Sequence, residues 1–279
     1  RFNQDLIINK NNILKNLSDI NSWKWYAPWK GSYNNQKLEE MVISLSEYYK
    51  YNGYLDFNIN SFEFKKSKNN LNQQKNTLVI NITSGHKYYV DNIKIIGNYI
   101  FNDSTIKSKF IIDSGDVFDG MKFDISNMNL NNLYRDKGFL FSQINSSIVP
   151  VNDSLLNISI NINEKSIVHV NRVIIKGNET TQDNVIRRDI DIIPGEIFSQ
   201  SAIMESYRKL FMLNFFEAVT PDIIPIEGKN EVDVIFEVSE KGSGQLNFSA
   251  GYSGLLGFTG GVGFSFPNFL GTGQSLSFN

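Results

Sequence analysis

The sequence predicts an α+β chain: tandem β-α-α-β-β modules followed by the first strands of an antiparallel transmembrane β-barrel, truncated before it closes. Three observations predict it. Tyr88 to Lys165 and Val168 to Lys241 are two copies of one unit. Each copy places helical apolar stripes between strand patterns, and from Gly242 the texture changes to nearly uncharged alternation. A repeat of about 75–80 residues is a whole small domain, longer than the roughly 20–50 residues of a solenoid unit.

In the second module Val90, Ile93, Ile95 and Ile96 form a β-rich run that ends at Gly97-Asn98, a pair suited to turning the chain out of a strand. Asn102 or Asp103 can cap a short helix carrying Ile106 and Phe110, with Gly115 as its stop. Leu130, Leu133 and Tyr134 stripe a second helix that ends at Gly138. A strand segment from Phe139 to Val149 comes next. Leu156, Ile158, Ile160 and Ile162 then alternate strictly with asparagine and serine, which predicts a sheet with one buried face.

The third module repeats the scheme. Val170, Val173 and Ile175 form its first strand and Gly177-Asn178 its turn. Val185, Ile186 and Ile190 mark the first helix, ending near Pro194-Gly195; Ile203, Tyr207, Leu210 and Phe211 stripe the second. Val232, Val234, Phe236 and Val238 alternate with Asp233, Ile235, Glu237 and Ser239, where Ile235 alone interrupts the polar face.

The first module begins without its opening strand. Leu38, Val42, Leu45 and Tyr49 stripe its second helix, and YYKYNGYLDFNI lines up with LYRDKGFLFSQI. The expected boundaries are 1–87, 88–166, 167–241 and 242–279. The chain opens on Arg1 and breaks off in a strand pattern at Asn279, so it reads as an internal piece of a longer protein.

After Gly242, Leu246, Phe248, Ala250 and Tyr252 alternate with small or polar residues, as do Phe258, Val262, Phe264 and Phe266. A third strand starts at Ser275-Leu276 after PNFLGTGQ. Strands of about ten residues with this dyad and short turns carry the signature of an outer-membrane barrel, which needs about eight strands to close.

Composition narrows the function classes. With 27 basic and 29 acidic residues and no basic run, the chain offers no electrostatic footprint for nucleic acid. Cysteine is absent, which excludes disulfides and thiolate metal sites. His86 and His169 precede the first strand of successive modules and read as strand-edge polar residues, so no metal or cofactor is expected. No G-x-S-x-G, H-E-x-x-H or P-loop motif occurs, and the glycines of GFTGGVGF and GTGQ fit barrel strand and turn.

Two clusters admit two readings each. Arg187-Arg188-Asp189 is either a solvated helix face or a docking contact for a partner or the barrel rim. Trp23, Trp25, Tyr26 and Trp29 either pack between helices or form an interface patch.

Taken with IIKGN, NFFEAVTPDI, VDVIFEVSEKGSGQLNFSAGYS and NFLGTGQ, the modules resemble POTRA domains, and their order before a glycine-rich barrel is similar to that of the BamA family of outer-membrane protein assembly factors. The tryptophan-rich segment and FEFKKSKNNLNQQKN depart from a compact POTRA domain. The resemblance implies a non-enzymatic machine in the outer membrane, with its modules in the periplasm. Unfolded barrel clients and accessory lipoproteins would be its partners, and lipid would be met by residues after 244. A transporter of the two-partner secretion or translocation-assembly type shares this architecture, and a periplasmic scaffold is a third reading. A small sheet covered on one face offers edge strands for β-augmentation. The candidate edges are those opened by Phe139 (with Phe141 and Ile144) and by Phe215 (with Phe216 and Val219).

Overall fold

The computed structural model describes residues 35–68, 74–242, 244–255 and 257–278. The tryptophan-rich segment lies outside them. The chain divides into two compact units, Arg1–Leu130 with Ile144–Ile162, and Asn131–Gln143 with Asn163–Asn279.

In the first unit, helix α1 (Asn35–Tyr51) precedes a two-stranded antiparallel sheet, β1 (Asn58–Lys68) and β2 (Gln74–Thr83). Pairing runs out to Lys68 opposite Gln74, so on both sides of residues 69–73 the polar stretch continues the paired strands. The core gathers Met41, Leu45 and Tyr49 of α1 with Tyr54, Phe57, Ile80 and Ile82. Met41, rather than the expected Val42, takes the buried place, because i, i+4 and i+8 track one helical face.

The second module continues with β3 (Tyr89–Ile96), α2 (Asp103–Lys107), α3 (Gly120–Arg135), β4 (Gln143–Pro150) and β5 (Leu155–Asn163). Its sheet runs β3-β5-β4, with β3 parallel to β5. Leu156, Ile158 and Ile160 are fully buried, as strict alternation on a central strand requires. Asn102 caps α2 by accepting the Thr105 N–H at 2.8 Å. The helix stops at Lys107, earlier than expected; Phe110 packs inward from beyond it, and Gly115 serves a later turn at φ 96°.

A bulge between Val90 and Asn92 explains a spacing that alternation alone does not. The extra residue, Asp91, resets the phase so that Val90 and Ile93, three apart, are both buried. The Ser114 hydroxyl donates to the Asp91 carbonyl.

In the second unit, β6 (His169–Lys176), α4 (Asp183–Arg187), α5 (Gln200–Met212), β7 (Phe216–Pro225) and β8 (Glu231–Glu240) repeat the design, with sheet order β6-β8-β7. The bulge recurs between Val170 and Arg172. Ile186, Ile203 and Leu210 from the helices pack with Val170, Val173, Val232, Val234, Phe236 and Val238 from the sheet. As in the second module, the first helix is short: α4 ends at Arg187 and Ile190 lies outside it. The other face of β8 is also covered. Ile235 is buried, and Asp233 accepts from Arg172 Nη2 and Asn171 Nδ2, each at 2.6 Å. The Arg172 guanidinium, helped by Asn171, holds the Asp233 carboxyl below its ordinary range.

Strands β9 (Gln245–Ser253), β10 (Gly257–Phe269) and β11 (Gln274–Phe278) complete this unit as an antiparallel meander in the order β9-β10-β11. Register sets Phe248 opposite Val262, Leu246 opposite Phe264, and Phe264 opposite Phe278. The large apolar residues therefore share one face, and glycine, serine and asparagine share the other.

Candidate interaction surfaces

Three features could meet partners: sheet edges, module junctions and the contact between the third module and the meander. The edge strands of the two mixed sheets are β3 and β4, then β6 and β7; β5 and β8 are central. Ile144 lies on β4, while Phe139 and Phe141 precede it. Phe139 is buried and Phe141 exposed. Phe216 and Val219 lie on β7 with buried side chains, and half-buried Phe215 precedes it. Phe139, Phe216 and Val219 thus anchor these segments in the core, while Phe141 stays exposed beside the edge strand β4.

A junction recurs where α1 and α3 end. In the first unit, the Gly53 carbonyl accepts the Tyr88 N–H at 2.9 Å, and the Tyr88 hydroxyl donates to Asp56 at 2.8 Å. In the second unit, the Gly138 carbonyl accepts the Val168 N–H at 2.9 Å, and Asp136 accepts the Ser201 N–H at 2.7 Å. Gly138 has φ 86°, and a Cβ there would lie 2.5 Å from Ile197 Cγ2. Its glycine is therefore required both by conformation and by close approach. The Tyr134 hydroxyl donates to Glu164 at 2.9 Å; burial and that carboxylate push the phenol above its ordinary range.

The third contact joins the β10–β11 turn to the loop before α4. Asn268 Nδ2 donates to Thr181 Oγ1 at 2.8 Å, and both residues are buried. Gln182 donates its N–H to the Gly271 carbonyl at 3.0 Å. Glu240 braces the loop from beneath, accepting the N–H groups of Thr180 and Thr181 at 2.9 and 2.7 Å. Burial pushes its carboxyl up, but the hydrogen bonds from both threonines outweigh this and leave it below the ordinary range. Asn214, Phe215, Glu240, Lys241, Gln245 and Pro267 line a cleft of about 370 Å³ beside this contact.

The family model described as POTRA, surface antigen variable number repeat, matches residues 2–85, 88–165 and 168–241. The chain belongs to the POTRA family. The outer membrane protein assembly factor BamA of Buchnera aphidicola is 26% identical over 266 residues, covering 93% of this chain and 42% of that protein. The crystal structure of Haemophilus influenzae BamA POTRA3-5 superposes with TM-score 0.65 at 19% identity, over 86% of this chain and 94% of that one. BamA from Haemophilus ducreyi lacking POTRA domains 1-3 matches with TM-score 0.61 at 24% identity, over 68% of this chain and 36% of that one. The chain spans about a third to two fifths of the length of the curated relatives it matches.

Within the third POTRA module, Arg187 pairs with Asp183 and donates to the Val173 carbonyl at 3.1 Å, so it stays on its own module. Arg188 reaches the meander turn: a Cβ at Gly273 would lie 3.0 Å from its Nη2. Two residues with one structural role escaped sequence reasoning. Ser126 and Ser206, both fully buried, accept the N–H of Ile111 and of Asp191 at 2.9 Å and so tie each interhelical loop to the long helix. Their signal was weak but present, each serine standing four residues before a buried leucine.

Proposed function

We propose that this chain is the periplasmic arm and barrel entrance of an outer-membrane protein assembly factor, and that it is not an enzyme. One observation carries the reading: POTRA modules run directly into an antiparallel meander whose large apolar side chains share one face. Phe248, Tyr252 and Phe258 are 74%, 71% and 90% exposed, a cost in water that lipid removes. The names of the relatives agree with it. In this reading β9–β11 open a transmembrane barrel in the outer membrane, and the modules stand in the periplasm. Unfolded barrel clients add to the edge strands by backbone hydrogen bonding, which is indifferent to client side chains. Accessory lipoproteins dock on the modules, and Arg188 belongs to the contact with the barrel rim.

Photo-crosslinking tests the proposal. A photoreactive residue at Phe141, next to edge strand β4, should capture an unfolded barrel client, and Ile144→Pro should weaken capture by removing an edge N–H. Capture of a single secreted substrate instead of barrel clients would favour a two-partner secretion transporter. No client capture from any module edge would sink the assembly reading.

A further inference from the structure

Tyr49, Tyr134 and Leu210 are each fully buried and stand four residues before a left-handed residue, Gly53, Gly138 and Asn214, so the ends of the three long helices align there. The two residues after the buried ones are Lys50 and Tyr51, then Arg135 and Asp136, then Phe211 and Met212. In the first two modules this last turn meets the succeeding module. A Cβ at Gly120 would lie 2.9 Å from the Tyr51 ring, and Asp136 accepts the Ser201 N–H.

The third module is succeeded by the meander. Asn214, two residues beyond Met212, lines the same cleft as Gln245, where β9 starts, and Pro267 on β10. Here the polar turn is replaced by apolar side chains that are 50% and 74% exposed. The Phe211 ring stacks against Tyr207 at 6.1 Å, and Lys241 Nζ is held by Asn214 Oδ1 at 2.6 Å beside the turn.

We infer that Phe211 and Met212 form an interfacial anchor that enters the headgroup–acyl boundary of the leaflet next to the third module. The inference rests on the membrane reading of β9–β11. Lipid is the occupant because the turn that docks on the next element in the earlier modules is here left exposed, while Asn214 just beyond it lines a cleft with Gln245 and Pro267 of the membrane strands. An aromatic and a thioether beside an ammonium also suit a boundary of acyl chains and phosphates.

These 279 residues hold no cysteine, so a label introduced among them has no competing thiol there. Met212→Cys, Phe258→Cys and Glu227→Cys each take an environment-sensitive fluorophore in the intact protein, reconstituted into phosphatidylethanolamine–phosphatidylglycerol vesicles. Lipids spin-labelled near the headgroup should quench position 212 by about two-fold or more, with little quenching by aqueous iodide. Iodide quenching at 212 equal to that at 227 overturns the anchor. Shielding from both quenchers also overturns it and points to a protein cover, a second copy or an accessory protein. Lipid quenching at 258 without any at 212 defeats the anchor alone, whereas its absence at both positions defeats the membrane reading as well.

Discussion

Asn268 and Thr181, 87 residues apart, close a buried hydrogen bond of 2.8 Å that ties the meander to the third POTRA module. Asn268 also accepts the Gly273 N–H at 2.8 Å, so one amide shapes the turn and docks it. A single side chain therefore couples the geometry of the turn to the position of the module.

Removing either partner should loosen this contact without unfolding the module. Thr181→Val should raise hydrogen exchange in residues 268–273 about five-fold, the effect of roughly 1 kcal/mol for a buried neutral bond, and Asn268→Ala should raise it further because it also removes the acceptor of the Gly273 N–H. The double variant should add little to Asn268→Ala, since Thr181→Val removes a bond already lost. Additive effects would show that the two side chains act separately.

Gly271 is the least replaceable residue of the turn. It has φ 68°, and a Cβ would lie 1.9 Å from the Thr180 carbonyl oxygen. Gly271→Ala must lift the turn away. Spin labels at Glu179→Cys and Leu270→Cys, both at exposed sites, should report a longer and broader distance distribution. An unchanged distribution would refute the docked geometry.

Acid should weaken the brace beneath that contact. The Glu240 carboxyl is depressed in the folded state, so its contribution is complete above the unfolded value of about 4.3 and is lost as pH falls through the folded value. The same label pair should separate on acidification from about pH 7 to about pH 3, and Glu240→Gln should flatten this response. A response of equal size in Glu240→Gln would assign the titration elsewhere.

The glycine junction predicts a contrast between two similar positions. Gly138→Ala faces both a left-handed backbone and Ile197, and should cost about 1–3 kcal/mol. Gly115→Ala, at φ 96° with nothing within 4 Å, should cost only the conformational part, about 1 kcal/mol. Urea midpoints of the two variants provide the comparison.

Ser206→Ala should expose the dependence of the interhelical loop on a buried hydroxyl. Losing the bond from the Asp191 N–H should cost about 1 kcal/mol. Exchange of the amides of residues 189–192 should rise accordingly, and Ser126→Ala should do the same for residues 110–113.

Much of the module was legible because its signals are local. The alternation from Leu156 to Ile162, the Asn102 cap and the glycine turn at Gly97 each depend on a few adjacent residues and a backbone preference. The face shared by Leu246, Phe248 and Tyr252 was legible for the same reason. The bulges after Val90 and Val170 were not, since an extra residue in a strand is defined only by the partner it skips. Helix ends were overrun for a related reason. Phe110 and Ile190 keep the helical spacing of their apolar neighbours, yet each lies past the last α-helical residue in a tighter turn, its N–H bonded to the carbonyl three residues back, of Lys107 and Arg187.

The sequence by itself determined that this chain is a row of α+β modules ahead of dyad-patterned strands, because periodicity and turn chemistry act over short distances. Only the tertiary structure decided that β3 and β6 are edges as well, which serines hold loops, and that Asn268 meets Thr181. Those choices depend on contacts between residues far apart in the chain, where residue identity alone carries no record of the partner.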